Sequence, residues 1–227
     1  MAKKEKFKLT RYQHSFLVVM LVIAIILVFK AFFTGVSLSL GDAPHFSLDS
    51  TEWFLKEPSL WTTRGIAFGG ISQFLWIYPL MNIISHLQNI LSLSNWLVIR
   101  LFFYIPSLLL SLIGGYCLAR KLKQNSIVAL FTATLSVLNT YYLLVVDGGQ
   151  VGIALAYGFF PWVVAAILHF ESNKYSKSGL LRAVVWLSLI TLADPRVAIL
   201  SIATSVFFFT RLSKRIVFLI GIWFAIN

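Results

Sequence analysis

Acidic residues are scarce in this chain: Asp and Glu total 8, against 19 Lys and Arg, in 227 residues. Charge of both signs together reaches only 12%, about half of what a soluble globular domain carries. That shortage, set beside the apolar content, excludes a disordered chain and a water-soluble single-core domain. Cysteine is nearly absent. A single Cys117 excludes an internal disulfide and any multi-cysteine zinc site. The four histidines, His14, His45, His86 and His169, show no HExxH spacing. No tandem repeat, heptad run or low-complexity tract is present. What is there is apolar: 59% of residues, with a mean hydropathy of +0.85. This balance predicts an all-α, polytopic transmembrane helical protein. A net charge of +11 would suit nucleic acid, but the cations lie between apolar runs. There they set topology, so no nucleic-acid partner is expected.

A crossing needs about 20 mostly apolar residues. Residues 1–14 form a basic tail, expected in the cytoplasm, and 15–38 form the first span. Ser37-Leu38-Ser39 resembles a signal-peptidase site, but the long apolar run favours a retained anchor. Residues 97–227 hold further apolar runs: Leu97–Leu118, Ile127–Val146, Val151–Phe170, Leu180–Ala193, Val197–Thr210 and Ile216–Ile226. The fourth and fifth are short, either tilted or two halves of a broken helix about Asp194-Pro195-Arg196. The last covers roughly half of a bilayer core, which reads as a truncation at the C-terminus.

Charge decides the status of 66–91, which is apolar but carries Gln73, Pro79, Asn82, His86, Gln88 and Asn89. If it crosses, the clusters around Arg120, Lys177 and Lys214 all fall outside. If it does not, they fall inside, and Asp42, Asp49, Glu52, Glu57, Asp147 and Asp194 fall outside. The second arrangement follows the positive-inside rule. Residues 39–96 are therefore expected as an outer loop carrying a juxtamembrane helix (about 66–91), broken or kinked at Pro79.

That outer loop holds the candidate chemistry. Asp42 follows Gly41 at the membrane rim, where nearby apolar surface suits a carboxylate to act as general base; an ordinary turn is the plainer reading. Asp49, with Ser50 and Thr51, also reads as a helix cap. Trp61 could stack on a sugar or sit in an interfacial belt, and His45 lies in the same stretch. Arg64 and Arg100 fit phosphate oxygens, although Arg100 at the start of a span could equally snorkel. Lys30, inside the first span, either snorkels or faces a polar cavity. Gly65/Gly69 and Gly148/Gly152 have the spacing of close helix packing.

The order of parts resembles the N-terminal part of a GT-C-type membrane glycosyltransferase. The likeness rests on Gly41-Asp42 after the first span, Tyr78-Pro79-Leu80, Asn95-Trp96 with Arg100-Leu101, and Leu118-Ala119-Arg120-Lys121-Leu122. It is similar to the aminoarabinose and mannosyl transferase branches. Asp49, Phe54-Leu55, Trp61, Gly69 or Gly70, Gln73, Tyr78-Pro79 and the run Ala156–Trp162 look more like the arabinofuranosyltransferases. The resemblance implies a GT-C-like fold in the plasma membrane, with its catalytic loop outside. It implies a polyprenyl-phosphate-linked sugar as donor, and membrane lipid and a glycan or lipid acceptor as partners. It implies Asp42 as catalytic base, Arg100 or Arg64 at the donor phosphate, and His45, Asp49 and Trp61 near substrate. Some members use a divalent metal, which Asp42 and Asp49 would share. Two other readings stand beside it: a non-catalytic fragment or scaffold subunit, and a lipid or solute transporter.

Overall fold

The computed structural model describes residues 11–34, 61–62, 70–71, 78–172, 176–207 and 214–226. Apart from a two-residue antiparallel ladder, Trp61–Thr62 (β1) with Gly70–Ile71 (β2), the regular structure among them is helical. The chain divides into two units, 1–36 and 37–227. In the first, α1 (Arg11–Val28) is followed, after Phe29, by the single turn α2 (Lys30–Phe33). Lys30 is exposed there.

The second unit holds α3 (Tyr78–Leu91), α4 (Asn95–Ile99), a π-turn (Arg100–Tyr104) and α5 (Ile105–Lys121). After these come α6 (Ser126–Val137), α7 (Thr140–Asp147), α8 (Val151–Ser172), α9 (Lys177–Ala193), α10 (Pro195–Phe207) and α11 (Lys214–Ile226). Among the described residues, three helical segments are long and apolar enough to cross a membrane: Leu97–Lys121, Ser126–Asp147 and Val151–Glu171. They match the three full-length runs of the sequence, because long apolar runs leave the backbone no partner but itself.

The sequence placed a helix over about 66–91. Its described part begins only at Tyr78, with the ladder strand β2 ahead of it. Pro79 is the second residue of that described part, Tyr78–Leu91. At 1.5 Å per residue, α3 is about 21 Å long, short of the ~30 Å hydrocarbon core. Tyr78, Met81, Ile84, Ser85 and Gln88 form its buried stripe, while Ile83 and Ile90 are exposed.

Helix α8 is the centre of the second unit and packs against α5, α7, α9 and α10. Its neighbours approach closely because glycines face them. A Cβ on Gly158 would lie 2.9 Å from the Ser107 carbonyl oxygen, and one on Gly114 would lie 2.6 Å from both the Pro161 ring and Trp162 Nε1. Trp162 donates to the Leu110 carbonyl at 2.9 Å and stacks on Trp186, ring centroids 5.2 Å apart. Ser107 thus meets Gly158, and Leu110 meets Trp162, so α5 and α8 run parallel. Helix α6 returns antiparallel to α5: Gly115 lies against Ala133 and Ser136, and Ser136 Oγ donates to the Ser111 carbonyl at 2.8 Å. Helix α9 also runs antiparallel to α8, with Phe170 at Gly179 and Trp162 at Trp186. Finally, α11 docks on α9 through Trp223 Nε1, 2.9 Å from Thr191 Oγ1.

The Ile127–Val146 run is not one helix. It breaks at Leu138 and Asn139, and the Asn139 side chain serves both ends. Its amide nitrogen donates to the Leu135 and Ser136 carbonyls, at 2.9 and 3.0 Å, at the end of α6. Its oxygen accepts from the Tyr142 N–H at the start of α7. One side chain thereby satisfies backbone groups that lipid would leave bare.

Between α9 and α10 the chain leaves the helix for one residue, Asp194, in extended conformation. Pro195 then takes the first helical position, where a proline fits. Buried Asp194 caps α10 through the Arg196 and Val197 N–H groups and receives the Arg196 guanidinium at 2.7 and 3.1 Å.

Candidate functional site

The site is built on the π-turn. Ile105 N–H bonds to the Arg100 carbonyl, five residues back, which widens the helix by one residue. Such bulges occur inside longer helices, frequently at functional sites. Here the bulge joins α4 to α5 and leaves Arg100, Tyr104, Ser107 and Ser111 all buried. From Tyr104 on they follow helical spacing, so they form one polar stripe down the packed face. Eleven residues separate its ends, roughly 16 Å of depth at 1.5 Å per residue.

The partners of this stripe come from α7 and α8. Ser107 Oγ donates to the Tyr104 carbonyl at 2.9 Å, so the Tyr142 hydroxyl, 2.7 Å away, donates to Ser107. The Tyr104 hydroxyl points to the Val146 carbonyl at 3.5 Å. Asn139 Nδ2 reaches the Tyr157 hydroxyl at 2.9 Å, and the Tyr157 ring lies 5.8 and 5.4 Å from the rings of Tyr141 and Tyr142. Buried hydroxyls in a membrane bundle hold helices together only when paired, and this network pairs most of them. Ser111 Oγ is the exception, buried with no hydrogen-bond partner among the described residues.

Two charged turns join the same cluster. Asp147, exposed at the end of α7, lies within electrostatic range of Tyr104, and Arg196 lies within range of Tyr141. The sequence placed Asp147 and Asp194-Pro195-Arg196 at one end of the bundle, and the structure gathers both about the tyrosines. Asp194 itself is turned inward onto its helix cap.

Of the site residues named from sequence, Arg100 is the one whose side chain is described. It is buried, 3% exposed. Trp61 lies in β1 and pairs with Ile71. Asp42, His45, Asp49 and Arg64 lie outside the described residues. Among the described residues, no group of three or more His, Cys, Asp and Glu side chains is placed to hold a metal ion.

Sequence reasoning missed the tyrosine cluster and Asn139. The signal was there as Asn139-Thr140-Tyr141-Tyr142, an amide and two phenols inside an apolar run. The run Ala156–Trp162, which carried part of the resemblance, acts here in packing: Tyr157 on Asn139, Gly158 on Ser107, Pro161 and Trp162 on Gly114, and Phe159 on Trp186. Searches against protein-family models, curated proteins and solved structures find no match to this chain.

Proposed function

We propose that this chain is the N-terminal part of a GT-C-type membrane glycosyltransferase. It would transfer a sugar from a polyprenyl-phosphate donor to an acceptor on the outer side of the plasma membrane. The observation that carries the reading is Arg100: a buried arginine in a π-turn, at the end of the second unit where the Asp147 and Arg196 turns lie. A guanidinium presents paired donors that match phosphate oxygens, and out of water each such contact strengthens. In this reading Asp42 removes or orients the proton of the acceptor hydroxyl. That oxygen attacks the anomeric carbon, the bond from that carbon to the phosphate oxygen breaks, and polyprenyl phosphate leaves. Arg100 and Arg64 balance its charge, while His45, Asp49 and Trp61 hold the sugar. Phosphate is a good leaving group, so positioning and charge stabilisation carry most of the rate.

The test is binding of undecaprenyl phosphate by the full chain in nanodiscs, followed by tryptophan fluorescence. Arg100→Gln is expected to weaken binding about 10–100-fold, the range of a lost charged hydrogen bond, and Arg100→Lys to weaken it less. Wild-type protein that binds uncharged undecaprenol equally well would refute the reading.

Orientation follows from the positive-inside rule, with the N-terminus in the cytoplasm and Arg120–Lys123 on the same side. The native thiol Cys117 is exposed, so it is first replaced. Cysteines are then introduced at Asn89 and Lys123. Asn89 should label from outside the cell and Lys123 should not; outside labelling at Lys123 reverses the orientation.

A second reading, transport of a lipid or solute, draws on the helix break at Asn139, since broken spans line the pathways of many transporters. Movement of labelled lipid across vesicles without any glycosyl product would favour it.

A further inference from the structure

We propose that water enters the bundle at the break between α6 and α7, from the end where Asp147 and Arg196 lie, and reaches Ser111. The break is then the mouth of a narrow aqueous cleft, open to small hydrogen-bonding solutes. The first observation is depth. Thr140 opens α7 and Asp147 closes it, so at 1.5 Å per residue the break lies about 10 Å below that end of a membrane-length segment. At such a depth, backbone outside a helix is tolerated only where protein buries it or water reaches it. Protein does not bury it here. Ser126–Asp147 is the least buried of the three membrane-length segments, and Thr140 and Tyr141 are exposed.

The second observation is a set of polar groups that the helices leave unanswered. The break parts the Tyr141 N–H from the Val137 carbonyl, its partner in an unbroken helix. It also parts the Thr140 N–H from the Ser136 carbonyl, which Asn139 Nδ2 takes instead. The Tyr157 hydroxyl accepts from Asn139 and still carries a proton to donate. Ser111 Oγ is fully buried with no hydrogen-bond partner among the described residues. These groups follow one path. Asn139 bonds both the Tyr157 hydroxyl and the Ser136 carbonyl, and Ser136 Oγ donates to the Ser111 carbonyl. A buried water bonds about three such groups.

At the mouth stands Arg196. Its side chain is 71% exposed, fixed by Asp194 and within electrostatic range of Tyr141. The Tyr141 ring in turn lies 5.8 Å from that of Tyr157. Lipid tails cannot solvate a guanidinium. Asp194 already balances its charge, so the mouth calls for hydrogen-bonding solvent and not for a counter-ion. Arg100 plays no part in this, and the proposal does not depend on the transferase reading.

The test uses the full chain in lipid vesicles, with Cys117 replaced and single cysteines introduced at Thr140, Asp147 or Phe131. Phe131 is 63% exposed on α6 and serves as the lipid-facing control. The probe is a sulfonated methanethiosulfonate, which does not cross the bilayer and attacks only the thiolate. Thr140→Cys should react at least about tenfold faster than Phe131→Cys, because apolar surroundings hold a thiol protonated. It should react from the same face of the membrane as Asp147→Cys. Equal rates at Thr140 and Phe131, whether fast or slow, overturn the proposal, as does reaction from the opposite face only. Should Thr140→Cys fail to fold, solid-state NMR on wild type decides. Magnetisation from water should reach the side chains of Asn139 and Tyr157, and silence there overturns the proposal.

Discussion

Replacing Gly158 with leucine is expected to destroy the folded bundle. The space a side chain would need at this position is filled by backbone: the Ser107 carbonyl oxygen at 2.9 Å, the Ser107 Cα at 3.0 Å, and then Leu110 Cβ at 3.2 Å. Backbone atoms on a neighbouring helix cannot swing aside as a flexible side chain can. Overpacking a core costs about 1–3 kcal/mol where neighbours yield, and more where they do not. Here α5 and α8 must separate. The Trp162–Leu110 and Ser107–Tyr142 hydrogen bonds then stretch together, each worth about 1 kcal/mol or more when its groups stay buried. With total stabilities of about 5–15 kcal/mol, the loss is comparable to the whole. Fluorescence-detected gel filtration should show aggregate in place of a single peak. Gly158→Ala should remain folded but melt lower. A Cβ added at Gly221 would meet nothing within 4 Å, so Gly221→Ala should be neutral or slightly stabilising. A Gly158→Leu variant that melts with wild type would remove the close-packing account.

Exchanging Asp42 for asparagine is expected to lower sugar transfer about 10²–10⁴-fold, the contribution typical of a positioned general base. The amide keeps the shape of the carboxylate but cannot take the acceptor's proton. Binding of undecaprenyl phosphate should be unchanged, since the proposed reading assigns that to Arg100. The pair of measurements separates the two roles: Asp42→Asn binds the donor but does not turn over, and Arg100→Gln binds it poorly. Equal transfer by Asp42→Asn and wild type would dismiss Asp42 as the base and leave its turn chemistry as the whole explanation.

Much of the helical layout was legible because apolar run length is a strong, local signal. The segments around Leu97–Leu118, Ile127–Val146 and Val151–Phe170 stand out by hydropathy alone. What hydropathy averages away was not legible. The break at Leu138 and Asn139 spans two residues, too narrow a feature for a window of about 20 residues. Of the glycine pairs that spacing singled out, Gly65 and Gly69 lie outside the described residues. Gly148 caps the end of α7, whereas Gly114, Gly115 and Gly158 bring the helices together without a shared four-residue repeat between partners. Arg100 shows the same limit at the site. Its place at the start of a run left snorkelling and phosphate binding equally open, and neither its burial nor a one-residue bulge leaves a trace in composition. The acidic residues proposed for the site, Asp42 as base and Asp49 near substrate, lie outside the described residues, so their candidacy rests on the sequence.

The parallel pairing of α5 with α8 also fixes an order of events at the ribosome. Trp162 follows Leu110 by 52 residues. At about 5–20 residues per second, that is roughly 3–10 seconds of synthesis. Through that interval α5 stands in the bilayer without its closest neighbour, with Tyr104, Ser107 and Ser111 facing the vacant side. The first contacts come from the α6–α7 arm as it folds back: Ser136 to the Ser111 carbonyl, 25 residues on, and then Tyr142, 35 residues after Ser107. Biogenesis is therefore a relay. The returning arm covers the polar stripe before α8 arrives, and the glycine contact with α8 closes an assembly already half made.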